Sequence, residues 1–362
     1  MPLYTNDRPS AATGDEHVKD APHYVRHSDL WFVDGSVVLQ AEQTRFRVHM
    51  SVLSRRSLFF HDMFSLPQPP SQPSTSSDTS TVDGCPLVIL HDSAHDLANL
   101  LIAFYDGPTF GDNDPDDFRV VSGILRLATK YTVDSLREEA LAHLHVAWPI
   151  ALKAWDTREE VASMYEAETA AQHGQRYPSP IDVINLAREI NAPSLLPVAF
   201  YDLSRYHFSQ IFETPEDALR GLSGSASLSL QDMQCLVLGK ESSQQFVSSL
   251  IQSMGSISHR DYPGHQSRRG GPVNTHRRKV SCTSAMACRK EFSELVTLAT
   301  QHYLFDREKG CADPLYVAEE LGQLKSAEFS ECEACARALE LWATKERQRI
   351  WKLLPTWFRL DA

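Results

Sequence analysis

The sequence predicts an α+β fold in its first 146 residues and an all-helical chain beyond them. Two β-rich runs, DLWFV and SVVLQ, flank Asp34-Gly35, a dipeptide that tolerates positive φ and favours a tight turn. After residue 49 the spacing of the apolar side chains changes from a strand period to a helical one. Beyond Trp148 the remaining apolar segments keep the helical period.

Length and composition narrow the class of protein. The chain has 362 residues, of which 42% are hydrophobic, enough for two or three domains with cores of their own. Its 47 acidic and 35 basic side chains leave a net charge of −12, which repels phosphate groups and argues against a nucleic-acid surface along the chain. We therefore expect protein partners and no nucleic acid.

The N-terminal residues and the hydropathy of the sequence predict where in the cell the protein lies. The N-terminus has no basic region followed by an apolar run, and no stretch of about eighteen apolar residues occurs. The sequence therefore predicts no membrane association and a place in the cytoplasm or nucleus. Seven cysteines without a secretion signal are expected to be reduced thiols or metal ligands.

The first domain is predicted at residues 26–146, after a disordered tail at 1–25 that mixes Pro, Ser, Thr, Asp and Gly. The DLWFV and SVVLQ runs form a predicted hairpin, RFRV a third strand, and Ser57 an N-cap between two short helices. The Pro- and Ser-rich residues 67–84 predict a mobile insertion. The strand PLVIL follows this insertion.

Three helices complete the predicted domain. Leu97, Leu100, Leu101 and Phe104 lie on one helical face, and Gly107 can take the left-handed conformation that ends a helix. The segments FRVVSGILRLATKYT and VDSLREEALAHLHV predict the other two helices.

The rest of the chain divides into three predicted parts. A helical extension covers residues 147–258, with capping signals at Ser179 and at Ser229. Residues 259–280 form a basic stretch without interleaved aromatic residues, for which we prefer a solvated loop to a nuclear-import or phosphate-binding site. A C-terminal helical segment follows at 281–362.

His49 stands close to Ser51, which raises the question of nucleophilic catalysis. Neither an acidic residue to orient the histidine nor an oxyanion-type glycine loop accompanies the pair. The sequence also contains no GxGxxG, GxxxxGK[ST], HExxH or GxSxG motif. We therefore assign His49 to the core and expect no enzyme activity.

Several motifs in order resemble the BTB/POZ domain. They are DLWFVDGS, FRVHMSVLSRRSLFFHDMF, LANLLIAFYDG and ILRLATKYTVDSL. The resemblance implies structural or dimer-region roles for six residues, namely Asp29, His49, Leu53, Ser57, Phe60 and Phe64. The segments LSLQDMQCLVLGKE, CEAC and WKLLPTWF are similar to the C-terminal part of fungal BTB proteins.

The resemblance implies a protein–protein interaction module, a homodimer in many members and a cullin-3 adaptor in others. Met50 follows His49 where some members have a basic residue, and the tail lacks the apolar strand that some dimers exchange. Dimerisation is therefore expected through helix faces, with a role as scaffold or regulator. Leu66 is followed by Pro and Gln and not by the apolar-x-Glu element of adaptors, so the cullin-3 adaptor stays the alternative.

Four cysteines form two pairs in the C-terminal segment. Cys332 and Cys335 stand one helical turn apart, and Cys282 and Cys288 precede them. Four thiolates could bind one structural zinc ion, although the gap within the first pair is longer than usual. The alternative is that each cysteine is a small buried hydrophobic residue. The sequence leaves both interpretations open.

Overall fold

A computed structural model describes residues 24–66, 81–169, 176–212, 227–255, 282, 284–305, 313–323 and 332–360. The chain divides into two compact units, residues 1–107 and 108–362. This division falls inside the domain predicted at 26–146, and the other predicted boundaries stay predictions.

The N-terminal unit contains a five-stranded sheet. In chain order the strands are β1 (Val25–Trp31), β2 (Val37–Ala41), β3 (Thr44–Val48), β4 (Thr81–Val82) and β5 (Cys85–Leu90). Their order across the sheet is β1-β3-β2-β5-β4. The pair β2–β3 is antiparallel, whereas β1 lies parallel to β3 and β5 parallel to β2. Leu39 and Phe46 face each other in the β2–β3 pair and are fully buried.

The hairpin predicted around Asp34-Gly35 is wrong. β1 pairs with β3 and not with β2, and the tight hairpin joins β2 to β3 through Glu42, whose φ is 49°. Asp34 and Gly35 instead form a turn in which the Gly35 N–H donates to the Phe32 carbonyl at 3.0 Å. A Cβ atom on Gly35 would lie 2.8 Å from Cγ of Arg47. Glycine is needed here for close packing and not for hairpin closure.

The predicted mobile insertion at 67–84 is too long at its C-terminal end. Residues 67–80 lie outside the described residues. Thr81 and Val82, however, pair with Pro86 and Cys85 in the sheet, and Gly84 makes the intervening turn with a φ of 77°.

Three helices complete the N-terminal unit: α1 (Met50–Arg56), α2 (Leu58–Ser65) and α3 (Ala94–Tyr105). Ser57 caps α2 by accepting from the Phe60 N–H at 3.1 Å, as predicted. The helix predicted around Leu97 is confirmed, and Gly107 follows it with a φ of 87°.

The described part of the C-terminal unit is helical. Its α-helices are α4 (Pro115–Lys130), α5 (Asp134–Ala147), α6 (Leu152–Thr169), α7 (Pro180–Glu189), α8 (Leu196–Ser204), α9 (Phe208–Phe212), α10 (Leu230–Gly255), α11 (Ala285–Ala299), α12 (Pro314–Gln323) and α13 (Glu333–Trp357). A 3₁₀ turn at Pro193–Leu195 precedes α8, and a π-helical turn at Thr300–Phe305 follows α11. The prediction of an α+β domain followed by an all-α region is confirmed.

The end of the chain packs against α8 and α10. Phe358 is fully buried and stacks on Phe200, with ring centroids 5.4 Å apart. A Cβ atom on Gly239 would lie 2.0 Å from the Phe358 ring. This contact joins the segments LVLGKE and LPTWF, which the sequence analysis singled out separately. In the described part of the chain, no helix combines the length and the apolar character needed to cross a membrane.

Candidate functional site

His49 lies between the end of β3 and the start of α1, where it contacts Tyr105 and an acidic residue that the sequence analysis did not expect, Asp34. The Tyr105 hydroxyl accepts a hydrogen bond from the His49 backbone N–H at 3.1 Å and lies 2.9 Å from Nδ1 of the ring. On the other side, Nε2 lies 3.3 Å from an Asp34 carboxylate oxygen. The pKa of Asp34 is lowered, first because the Asp34 carboxylate accepts a hydrogen bond from the Asp34 backbone N–H and second because of the contact with His49. His49 thus joins the Asp34 turn to the end of α3.

The other residues of the BTB-like signature occupy different environments. Leu53, Ser57 and Phe60 are buried, and Phe64 is half-buried. Asp29 is exposed, and its carboxylate accepts from the Ser28 hydroxyl at 2.9 Å. Three of the six signature residues therefore belong to the core, and a role of these residues in a dimer stays a prediction.

Helix α2 presents an apolar surface to solvent that the sequence analysis did not identify. Leu58 is 58% exposed, Phe59 42%, and Leu66, just after the helix, 64%. Met63 is half-buried and lies one turn after Phe59. Because Phe59 and Met63 follow the spacing i, i+4, they share one face of the helix, and Leu66 follows the helix in an extended conformation. The FFHDMF run predicts an apolar helix. Only the burial of Phe60 in the structure shows which side of this helix is exposed to solvent.

The four cysteines of the C-terminal segment come together. Their Sγ atoms all lie within 4.8 Å of one another. The Cys282 sulfur is 3.6 Å from that of Cys288 and 3.8 Å from that of Cys335. These distances are far longer than a disulfide bond of about 2.05 Å. They match the edge of a tetrahedron with metal–sulfur bonds of about 2.3 Å, which is about 3.8 Å.

Two helix N-termini carry the cysteine cluster, which comprises Cys282, Cys288, Cys332 and Cys335. Cys288 is in the first turn of α11, after an N-cap in which the Ser284 hydroxyl accepts from the Ala287 N–H. Cys332 is the N-cap residue of α13, and Cys335 is in its first turn. The positive ends of both helices therefore face the sulfur atoms, an environment that favours thiolates.

Burial has the opposite effect on the cysteine cluster. Cys288, Cys332 and Cys335 are buried, and Cys282 is half-buried. Burial, with contributions from neighbouring thiols, raises the pKa of Cys288 to about 11 and raises the pKa of Cys335 as well. A divalent cation would offset this cost, because thiolates bound to a metal ion deprotonate readily. The cluster could therefore hold a metal ion.

The other cysteines in the described part of the chain do not belong to the cysteine cluster. Cys85 lies in β5 and Cys235 in α10, each buried in its own element. Cys311 and the basic stretch at 259–280 lie outside the described residues.

Comparison with known families supports the resemblance. Residues 31–146 match the BTB/POZ domain, so this part of the chain is a BTB/POZ domain, a class of module that mediates protein–protein interactions. The match begins at the end of β1 and runs to α5, and therefore includes residues of both compact units. A search among curated proteins found no match to the chain.

Proposed function

We propose that the protein is a non-catalytic interaction module that self-associates through the apolar face of helix α2 and serves as a scaffold or regulator. The observation that carries the proposal is the exposed apolar surface at helix α2, to which Leu58, Phe59 and Met63 contribute from the helix and Leu66 from the position just after it, within a BTB/POZ domain. Contiguous apolar side chains on a protein surface mark interaction sites more often than single ones do.

A second copy of the chain is the occupant that this face fits. In a two-fold dimer the same patch meets itself, so an apolar helix face is complementary to its own copy. Aromatic and long aliphatic side chains such as Phe59 and Leu58 contribute most of the affinity in such contacts. The cytoplasm or the nucleus is the compartment that we propose for the assembly.

Light scattering coupled to size exclusion at micromolar concentration tests self-association. We expect a species of twice the chain mass of 40.7 kDa, and a monomer for Phe59→Glu, because a buried carboxylate in an apolar interface costs several kcal/mol. Ile89→Glu is the matched control, since Ile89 is 58% exposed on β5 and lies outside the α2 face. A monomeric wild-type chain would contradict the proposal.

The same preparation separates the scaffold from the adaptor. Purified cullin-3 is added to the wild-type chain and to Phe59→Glu. A stable complex with cullin-3 would assign the adaptor function instead, and its absence supports the scaffold. Membership of a fungal BTB family, suggested by LSLQDMQCLVLGKE, CEAC and WKLLPTWF, stays part of the proposal.

For the cysteine cluster we propose one structural zinc ion. Four sulfur ligands close the tetrahedron and leave no position for water or substrate, which is the arrangement of structural and not of catalytic zinc. The ion would fasten the start of α11 to the start of α13. Soft thiolate ligands favour zinc over magnesium or calcium.

Elemental analysis of the purified full chain tests the zinc site. We expect one zinc per chain in the wild type and none in the double variant Cys332→Ser Cys335→Ser. Cys235→Ser is the control, because Cys235 is a buried thiol outside the cluster. If wild-type protein purified in the absence of chelators contains no zinc, the four cysteines are buried hydrophobic residues and not metal ligands.

A further inference from the structure

A cleft of about 910 Å³ opens in the C-terminal unit, away from the cysteine cluster. Helix α6 forms one wall, residues 176–178 and the end of α8 form the base, and the start of α12 with Arg347 of α13 forms the other wall. Its volume lies within the range of about 300–1,000 Å³ that ligand sites occupy.

Two arginines that line the cleft, Arg158 and Arg205, are already paired with carboxylates. Arg158 is buried, donates to the Ala147 carbonyl at 2.9 Å, and forms ion pairs with Glu159 at 2.6 Å and Asp202 at 2.8 Å. Arg205 pairs with the same two carboxylates and with Asp313. An anionic ligand would have to displace these carboxylates. These two arginines therefore do not favour phosphates or acidic peptides, and the third arginine of the base, Arg176, donates to the Asp112 carbonyl at 2.8 Å.

The charge that remains in the cleft is negative. Seven carboxylates line it against four guanidinium groups. On the wall formed by α6, Glu160 and Glu166 are exposed and form no ion pair with another residue in the described part of the chain. On the opposite wall Glu319 is 45% exposed and shares Arg347 with Asp156. A cation entering the cleft therefore meets the carboxylates of Glu160 and Glu166 on the wall formed by α6.

Apolar and aromatic groups stand beside these carboxylates. Met164 is 63% exposed and Tyr316 is 43% exposed, and both line the cleft. The Tyr177 ring also lines it, with its centroid 4.5 Å from the Arg158 guanidinium carbon. Aromatic faces attract cations, and exposed methionine adapts to apolar side chains of varied shape.

We propose that this cleft binds a basic linear segment of a partner protein, in which lysine or arginine alternates with apolar side chains. The basic groups pair with Glu160 and Glu166, and the apolar groups contact Met164 and Tyr316. The cleft thus gives the protein a second interaction surface, separate from the α2 face of the BTB domain and independent of it.

The combination of walls favours a peptide over a small cation. A polyamine would satisfy the carboxylates but would leave Met164 and Tyr316 without apolar contacts. A lysine or arginine side chain brings an aliphatic stem as well as a charge. Several such residues in one segment pair with Glu160 and Glu166 at once.

Fluorescence anisotropy with the full-length chain tests the proposal. The probe is a fluorescein-labelled peptide, GRLKRLG, and its acidic counterpart GELEELG is the negative control. We expect binding of the basic peptide only, weakened by added salt because the carboxylates at the rim are exposed to solvent.

The double variant Glu160→Gln Glu166→Gln is expected to weaken binding by about three- to tenfold, the effect of losing two exposed charge pairs. The matched control is Glu138→Gln Glu139→Gln, which changes the net charge equally at exposed positions on α5, outside the cleft. Equal weakening in both variants would reduce the interaction to attraction by the overall charge of −12 and overturn the proposal.

Three other results would also overturn it. The first is that GRLKRLG does not bind. The second is that spermine binds, with the same sensitivity to Glu160→Gln Glu166→Gln, while the peptide does not bind. The third is that the peptide binds only after residues 259–279 are replaced by a Gly/Ser linker. The last result would assign the cleft to the chain's own basic stretch.

Discussion

The two compact units differ in what they bury. In the described residues of the N-terminal unit, the buried polar side chains are the uncharged Gln40 and Ser57. In the C-terminal unit the buried residues include charged ones, which are Arg158, Asp202, Asp232 and Lys240. The first unit is stabilised by an apolar core under a sheet, whereas the second places ion pairs, an ammonium group and four thiols between its helices.

The buried charged groups of the C-terminal unit connect its helices, as Lys240 illustrates. Lys240 of α10 donates from Nζ to the carbonyls of Ser204 and Tyr206, at 2.7 and 2.6 Å, and so satisfies the end of α8. Burial lowers the pKa of Lys240 to about 8. Such groups cost desolvation energy, and they specify which helix ends meet only when every partner is in place.

The largest expected effect comes from removing the zinc ion that we propose for the cysteine cluster. Structural zinc contributes about 10 kcal/mol or more in small domains, comparable to the whole stability of a typical domain. A zinc chelator should therefore expose the amides of α11 and α13 in hydrogen exchange measured by mass spectrometry. The strands β2, β3 and β5 should keep their protection, because their core has no metal ligand in the described residues.

The single variant Cys335→Ser should reproduce the effect of the chelator, and Cys235→Ser should not. Cys235 is a buried thiol of α10, so this control reports the cost of placing a hydroxyl in the core without touching the cluster. Unchanged protection of α11 and α13 after chelation would show that packing alone holds these helices.

A smaller effect is expected when the ion pairs of the cleft base are broken. Asp202→Ala leaves the buried Arg158 without one of its two carboxylates, and Arg205 loses one of three. Removing one partner of a buried pair costs about 3–5 kcal/mol, because the remaining charge stays desolvated. Urea unfolding followed by circular dichroism measures the loss.

An exposed pair provides the comparison for Asp202→Ala. Asp116 and Arg119 are 86% and 73% exposed, so Asp116→Ala should cost about 0.5 kcal/mol or less. Equal effects of the two variants would mean that the C-terminal unit tolerates charge burial as a surface does, and the contrast between the units would not hold.

The sequence predicts local structure well in both units. Ser57, Ser179 and Ser229 cap the helices that their spacing indicates, accepting from Phe60, Ile181 and Asp232. Capping and periodicity depend on residues within one or two turns, so they can be recognised without a fold. The strand pairing failed at Asp34-Gly35 because the preferred hairpin turn was outweighed by long-range pairing of β1 with β3.

Contacts between distant residues were predicted less completely. The cysteine cluster could be suggested because cysteine is one of the few residue types that commonly bind metal ions. This signal can be read from the sequence even though Cys282 and Cys335 are 53 positions apart. Nothing comparable connects Arg158 with Asp202, since charged residues are common on exposed helix faces. The cleft was missed for this reason, because its walls come from four helices and residues 176–178.

A smaller loss than that of Asp202→Ala is expected in the N-terminal unit, from Tyr105→Phe. The hydroxyl of Tyr105 accepts from the His49 N–H and lies next to the His49 ring, while the ring of Tyr105 packs on Phe32. The variant keeps the ring and removes only the hydrogen bonds, so the free energy of unfolding should fall by about 1–2 kcal/mol. Tyr316→Phe is the control, because Tyr316 is 43% exposed and its loss should change stability little. A loss above about 3 kcal/mol would show that the N-terminal unit depends on a buried polar contact as strongly as the C-terminal unit does, whereas a loss within the expected range supports a sheet and helix core held mainly by apolar packing.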